Sequence, residues 1–293
     1  SDLYRAVFYA IYCTHMKKLA VVASGWHFPI AFFEQMKGQK VPEGWQVDMY
    51  CVSHRDPSHA RTEKKEMLAG LGFTRRELYD RILYRSVASV ADIEALGWRY
   101  VLEPNSVGDW GNSNQLLANN DYKQYDKFLF THDDNFILTD QMFEDLLPQT
   151  DWLIATNSTG HAQRRLRQWL RLPKPFFARG SFELFTREAM DIIGGSFDLS
   201  RKTLTREGKF DSPADFGELS NWNENDKAVR ELVEKRGLLP KIKSLSPYYR
   251  MSKYCLEGER GYIHKTERSN TREEEKGLDA VERHYASKKV TEV

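Results

Sequence analysis

Apolar residues in this chain gather in short continuous runs that alternate with segments of helical spacing. The first run is Leu19–Ala23, which Ser24 and Gly25 end. A short run that is rich in β-branched residues is typical of a strand buried on both faces of a parallel sheet. The same pattern predicts further strands at residues 45–52, 98–102, 126–131, 152–156 and 176–185.

Helical spacing and stop signals predict helices between these strands. Gly194 and Gly195 end one helix and Gly237 ends another, because glycine readily adopts the left-handed conformation that closes a helix. The predicted helices cover residues 30–36, 60–71 and onward to about 96, 112–120, 187–193 and 225–236, and residues 238–245 are extended. This alternation predicts an α/β fold with a mostly parallel central sheet flanked by helices.

The chain is expected to contain one main domain with an extension at each end. Residues 1–15 form an N-terminal extension or helix, residues 16–266 the α/β domain, and residues 267–293 a charged helical tail. No internal repeat of solenoid period and no low-complexity linker interrupts the middle part. The functional residues are therefore expected in the α/β domain.

Composition narrows the class of protein. With 41% apolar and 29% charged residues among 293, the chain is expected to be a soluble globular protein. The 43 basic and 42 acidic residues nearly cancel, so no basic excess favours nucleic acid as a partner.

The three widely spaced cysteines favour a reducing, cytoplasmic setting. The apolar stretch at residues 6–13 is about half of the ~20 residues a membrane span needs, which predicts no transmembrane segment but leaves peripheral membrane contact open.

Polar residues follow four of the predicted strands. Ligands of open α/β sheets bind beyond the carboxyl ends of the strands, where such residues meet. The four polar segments are Ser24–His27, Ser53–Asp56, Asn105–Gly108 and His132–Asn135. They are expected to converge on one edge of the sheet and to form one site.

The run His132-Asp133-Asp134-Asn135 is the most specific of these segments. Hard oxygen ligands at the end of a rigid strand suit a divalent cation and leave coordination positions for phosphate. The alternative is that the two acids cap a following helix, since Asp and Asn favour helix starts. The pattern thus predicts either a metal and diphosphate site or a helix cap.

The order of motifs resembles that of the GT-A glycosyltransferases, in particular the large inverting family of nucleotide-sugar-dependent enzymes. The likeness spans roughly Lys18 to His264 and is strongest over Tyr100–Gly108, Gly111–Ala118 and Tyr125–Asp134. The family closes the last of these strands with an acidic D-x-D element, and here, according to register, either His132 stands where the first acid usually stands or Asn135 stands where the last one does. We prefer the register His132-Asp133-Asp134, which resembles the family's E-D-D variants. The resemblance implies a GT-A fold and makes residues 16–266 the catalytic domain.

The resemblance also implies roles for residues on the donor side. Asp134 would bind the metal, and His264 would complete the metal shell, which suits Mn²⁺ better than Mg²⁺ because imidazole is a borderline ligand. The backbone at Ser24 and Gly25 would approach the nucleotide. Asp56 would bind the base, although Arg-Asp-Pro-Ser is also ordinary turn chemistry. Further donor-binding residues implied are Asn105, Asn114 and Asp133.

A catalytic base is implied by Asn221–Asp226, which is similar to the family's E-D element. Inverting transfer needs a carboxylate that takes the proton of the acceptor hydroxyl, and we assign it to Asp226, with Glu224 as the alternative. The structural alternative is that Asn223 or Asn225 caps a helix. The acceptor side would be lined by Gly180, Ser181 and Trp222.

The resemblance therefore implies an inverting, cation-dependent glycosyltransferase. It would move a sugar from a UDP- or GDP-linked donor to a hydroxyl of a glycan or another acceptor. One alternative is a non-catalytic carbohydrate-binding protein on the same fold, suggested by the irregular acidic motifs. A nucleotidyltransferase is the other, but it needs a glycine-rich basic loop after the first strand, which the segment Ser24–Pro29 does not supply.

Overall fold

The computed structural model describes residues 16–54, 56–58, 87–103, 108–133, 135–137, 139–156, 182–197, 199, 220–245, 251–252 and 263–265. These residues form a seven-stranded sheet, a three-stranded sheet and the helices that flank them. The large sheet contains β1 (Lys17–Ser24), β2 (Trp45–Ser53), β3 (Trp98–Leu102), β4 (Lys127–His132), β6 (Ile154–Thr156), β7 (Phe182–Thr186) and β8 (Ile242–Ser244). The small sheet contains β5 (Asn135–Ile137), β9 (Met251–Ser252) and β10 (Ile263–Lys265).

Strands of the large sheet lie in the order β3-β2-β1-β4-β7-β6-β8. The first four are mutually parallel, and β1 pairs with β4 from Leu19 opposite Lys127 to Ser24 opposite His132. β7 runs antiparallel to both β4 and β6, whereas β6 and β8 are parallel. The predicted α/β fold with a mostly parallel sheet is thereby confirmed.

Helices cover both faces of this sheet. They are α1 (Ile30–Lys37), α2 (Val90–Ala95), α3 (Gly108–Asn119), α4 (Met142–Leu146), α5 (Arg187–Ile193) and α6 (Ser220–Lys235). Residues of α1, α2 and α4 share one buried cluster with Leu19 and Val21 of β1. Residues of α3, α5 and α6 share the other with Ala20 and Val22. Alternate residues of a strand face opposite sides, so β1 contributes to both layers of the core.

Most predicted elements are confirmed with small shifts at their ends. The helix that Gly194 was expected to end does stop there, because Gly194 takes a left-handed φ of 94°. α3 begins at Gly108 instead of residue 112, since the packing of Trp110 on Phe197, with ring centroids 4.5 Å apart, overrides the weak helix propensity of Gly and Asn. α6 likewise begins at Ser220 rather than at residue 225.

Some predicted segments lie outside the described residues. They are the extension at residues 1–15, the helix at 60–86, the first part of the strand predicted at 176–185, and the tail at 267–293. Within the described part of the chain, no helix has both the length and the apolar character that crossing a membrane requires.

Candidate functional site

The order of the parallel strands places a switch point between β1 and β4. From β1 the chain proceeds to β2 and β3 on one side, whereas β4 lies on the other side of β1. In open α/β sheets, ligands bind in the crevice beyond the carboxyl ends of the strands at such a point. The loops that follow Ser24 and His132 therefore flank the candidate site.

A carboxylate joins these two loops. One oxygen of Asp133, Oδ2, accepts hydrogen bonds from the backbone N–H groups of Trp26, His27 and Phe28, at 2.7, 2.8 and 2.7 Å. The backbone N–H of Asp133 donates to the carbonyl of Ser24 at 3.2 Å. Asp133 is 1% exposed. The sequence predicted a donor contact for this residue, and the structure gives its Oδ2 partners in the loop after β1.

The helix-cap alternative for the two acids is wrong. The chain continues from Asp133 into strand β5, which begins at Asn135, so no helix starts there. Asp134 lies outside the described residues. The acidic run is thus a link between two strands at the switch point.

Gly25 is required by packing. A Cβ atom at this position would lie 2.7 Å from the Phe28 ring and 2.8 Å from the Sγ of Cys51. Its N–H donates to the carbonyl of Val52 at 2.9 Å, and its carbonyl accepts from the Ser53 hydroxyl at 2.7 Å. Ser24, 9% exposed, ends β1 and also uses its carbonyl within the protein. The predicted approach of this backbone to a nucleotide stays a prediction.

Aromatic and acidic groups lie where β1 and β2 end. The rings of Trp26 and His54, both half-buried, have centroids 5.3 Å apart and are tilted by 47°. Asp56 accepts a hydrogen bond through Oδ1 from the backbone N–H of Ser58 at 2.8 Å, which is the turn that its sequence favours. The structure therefore bears out the turn chemistry of Asp56, and its predicted contact with a base stays a prediction.

Asn114 has a structural role that its sequence context did not predict. Its Nδ2 donates to the carbonyl of Phe197, and its Oδ1 accepts from the N–H of Phe197, both at 2.7 Å. This double hydrogen bond fastens α3 to the segment that follows α5. The predicted contact of Asn114 with the donor stays a prediction.

The carboxylate of Asp226, in α6, is held by a hydrogen bond from α3. The indole Nε1 of Trp110 donates to its Oδ1 at 3.2 Å. Trp110 in turn packs on Phe130, with centroids 5.6 Å apart, and Phe130 lies two residues before His132 on the same face of β4. The contact therefore places Asp226 on the face of the sheet to which His132 belongs.

Of the two base candidates, only one can face a given site, because side chains two positions apart do not share a helix face. The contact with Trp110 favours Asp226. The backbones of Trp222 and Glu224 belong to α6, but their side chains lie outside the described residues. The proposed caps Asn223 and Asn225 are wrong, because both residues lie inside α6.

In the small sheet, the strand that carries His264 pairs with the strand that follows the acidic run. β10 pairs antiparallel with β5, and His264 lies opposite Phe136 while Lys265 lies opposite Asn135. Asn135 directly follows Asp134, so the strand that carries His264 runs beside the strand that leaves the acidic run. The described residues, which omit Asp134 and the side chain of His264, contain no group of three or more potential metal ligands.

Sequence reasoning missed a buried charged residue, Glu183, at the carboxyl end of β4. Glu183, fully buried in β7, lies opposite Phe130 and opposite Thr156, and its Oε2 accepts from the N–H of Phe182 at 3.0 Å. The detectable signal was a charged residue within the apolar run Phe182–Phe185. Asn112 and Ser113 of α3, each 3% exposed, are further buried polar residues.

The remaining predicted site residues, Asn105, Gly180 and Ser181, lie outside the described residues. No protein-family model matches the sequence, and a search of curated proteins finds no match either. A functional conclusion therefore depends on the fold and on the geometry of the switch point.

Proposed function

We propose that the protein is a GT-A glycosyltransferase that moves a sugar, with inversion, from a UDP- or GDP-linked donor to a hydroxyl of a glycan or another acceptor. The observation that carries this proposal is the position of the acidic run at the switch point beside the strand that holds His264. The strand order and the two helical layers support the GT-A assignment. An acid and an imidazole at this point suit a metal that receives a diphosphate.

The nucleoside would lie over the ends of β1 and β2. Trp26 and His54 present flat rings there, and indole faces commonly stack on bases or sugars. Asp56 follows directly along the chain and offers a carboxylate, of which Oδ1 already accepts from Ser58. This end of the sheet has the chemistry for a heteroaromatic base with polar edges.

Asp134 and His264 would hold the divalent cation, with Mn²⁺ favoured over Mg²⁺. When bound, the cation would offset the charge that develops on the leaving diphosphate. Asp226 would accept the proton of the acceptor hydroxyl as the hydroxyl oxygen attacks the sugar. The indole N–H of Trp110 holds Oδ1 of this carboxylate in a fixed direction, as a base needs.

Titration of UDP- and GDP-sugars in the presence of Mn²⁺ tests the proposal, with calorimetry for binding and product analysis for turnover. We expect one of the two donor classes to bind and to be hydrolysed slowly or transferred. The substitution Asp134→Ala should abolish cation-dependent binding. An absence of binding by either class, or hydrolysis that persists unchanged in Asp134→Ala, would contradict the proposal.

A non-catalytic carbohydrate-binding protein on the same fold is the second candidate. It is favoured by His132 in place of an acid and by Asp133, whose Oδ2 is occupied by three backbone N–H groups. Binding of sugar without turnover would support it. A nucleotidyltransferase is disfavoured, because the loop after β1 directs those N–H groups at Asp133 and carries no Lys or Arg for a triphosphate.

A further inference from the structure

Three consecutive backbone N–H groups of one loop point at a single carboxylate oxygen. They belong to Trp26, His27 and Phe28, and they lie 2.7–2.8 Å from Oδ2 of Asp133. Arrays of successive N–H groups after the first strand of an α/β sheet are anion-binding sites that commonly receive phosphate. In this protein the anion comes from the chain itself.

The loop has a conformation that needs such support. Phe28 is fully buried and has a φ of +52°, a left-handed conformation that is unfavourable for a bulky residue. Its carbonyl accepts a hydrogen bond from the N–H of Ala88 at 2.7 Å. Hydrogen bonds to a charged acceptor are stronger than neutral ones. The carboxylate of Asp133 therefore favours the loop conformation that carries Trp26.

We propose that Asp133 is a positioning residue: its carboxylate acts as a built-in anion that fixes the loop after β1 and thereby holds Trp26 beside His54 to receive the donor's nucleoside. The part that concerns the donor rests on the proposed function, whereas the part that concerns the loop does not. Asp133 thus contributes to donor binding through the loop, while cation binding belongs to Asp134 and His264.

Amide hydrogen exchange across residues 25–29 tests the loop without any substrate. In Asp133→Ala we expect exchange at Trp26, His27 and Phe28 to accelerate by about 10- to 100-fold, the effect of losing charge-assisted hydrogen bonds. Added formate should restore protection, because it fits the space of the missing carboxylate group. Asp133→Asn keeps an acceptor oxygen, so its exchange should accelerate less than that of Asp133→Ala. If the alanine variant does not fold, exchange in the asparagine variant tests the role of the carboxylate instead.

Asp126→Asn is the matched control. Asp126 precedes β4 and accepts from the backbone N–H of Lys18 at 2.9 Å, so it joins the same two strands at their other end. This variant should leave exchange at residues 25–29 unchanged. Unaltered exchange in both Asp133 variants, or protection that formate does not restore, overturns the proposal.

Kinetics test the part that depends on the donor. Asp133→Asn should raise the donor KM about tenfold or more while kcat at saturating donor changes little, and formate should lower the KM of Asp133→Ala. If Asp133 had a merely structural role, its substitution would lower the apparent kcat and kcat/KM together through loss of folded protein, and formate would restore neither. If the wild-type protein binds no donor, the proposed function is refuted. The claim that Asp133 fixes the loop after β1 is then tested by the exchange measurement alone. Normal exchange protection together with a raised KM would overturn the inference alone.

Discussion

The two ends of the strand pair β1 and β4 differ in what their polar residues contact. At the amino end, Asp126 and Lys127 bond to backbone groups of neighbouring elements. At the carboxyl end, His132 and Asp133 adjoin loops that carry half-buried aromatic rings. The ammonium of Lys127 donates to the carbonyls of Leu146, Leu147 and Gln149 at 3.3, 2.9 and 2.6 Å. It also lies 4.3 Å from the centre of the Trp152 ring. The amino end uses a charge to close the end of a helix.

The carboxyl end also places a charge in a buried position, but at the edge where open α/β sheets bind their ligands. Asp133 holds the loop after β1, and Asp226 is oriented by Trp110 on the adjacent layer. A buried charge in a strand is therefore not by itself a sign of function. Its position relative to the strand ends and its neighbours distinguish a structural charge from a candidate catalytic one.

Among substitutions at the two ends of the strand pair, we expect the largest effect on turnover, from a change near the carboxyl end. Asp226→Asn retains an oxygen that accepts from Trp110 but removes the proposed base, so we expect transfer to fall by about 10²- to 10⁴-fold with donor binding intact. Single-turnover product analysis measures this effect. Turnover that stays within a few-fold of wild type would remove Asp226 from the mechanism and return Glu224 to consideration.

At the amino end, the matching substitution should affect stability instead. Lys127→Met keeps an unbranched side chain but removes the ammonium and leaves three carbonyls without their donor, so we expect the free energy of unfolding to fall by about 3 kcal/mol in urea titrations. Lys243→Met removes a half-exposed ion pair with Asp151 and should cost less than about 1 kcal/mol. Equal losses for the two variants would contradict the structural role of Lys127.

Two glycines at the two ends should respond differently to alanine. Gly25→Ala creates a contact with Cys51 and Phe28, which we expect to cost about 1–3 kcal/mol, and Cys51→Ala should relieve part of that cost. Gly44, whose carbonyl accepts from Lys17, has open space around it but a φ of +77°. Gly44→Ala should cost about 1 kcal/mol whatever residue occupies position 51. Urea titration of the single and double variants compares them, and equal relief at both glycines would refute the packing explanation.

The smallest effect concerns pH. Burial is the largest cause that lowers the pKa of the Lys127 ammonium, and the charges of Lys17 and Lys243 add to it while that of Asp151 opposes it, so that the pKa falls to about 8 from its usual 10.5. Between these two values the unfolded chain binds a proton that the folded protein has released, so stability should rise with pH across that window. Measured relative to Lys127→Met, wild-type stability should increase from pH 8 to pH 10. Parallel curves for the two proteins would show that the pKa is unshifted.

Local sequence patterns did not predict α4 or the small sheet. They were sufficient for the strands of the large sheet and for the helix stops at Gly194 and Gly237, because burial on two faces and glycine stops leave a local trace. They also placed the acidic run at the end of β4. The partners of Asp133 lie more than 100 positions earlier in the chain, so no local pattern could reveal them. The same holds for Asn114 and Phe197, whose pairing depends on how α3 packs.

The helix-cap alternatives failed for a related reason. Capping preferences describe what Asp and Asn do near a helix start, but tertiary packing decided where the helices begin. β5 follows Asp133 because it pairs with β10, and α6 begins before Asn223. Glu183 escaped notice because its neighbours in sequence are apolar, and the residues opposite it, Phe130 and Thr156, are distant along the chain.

A crystal structure with Mn²⁺ and a uridine or guanosine diphosphate tests the central claim most directly. We expect anomalous scattering from manganese between Asp134 and His264, a diphosphate on that metal, and the base over the ends of β1 and β2 near Trp26. Manganese or nucleotide bound elsewhere, with the switch point empty, would contradict the assignment of this edge as a nucleotide-sugar site.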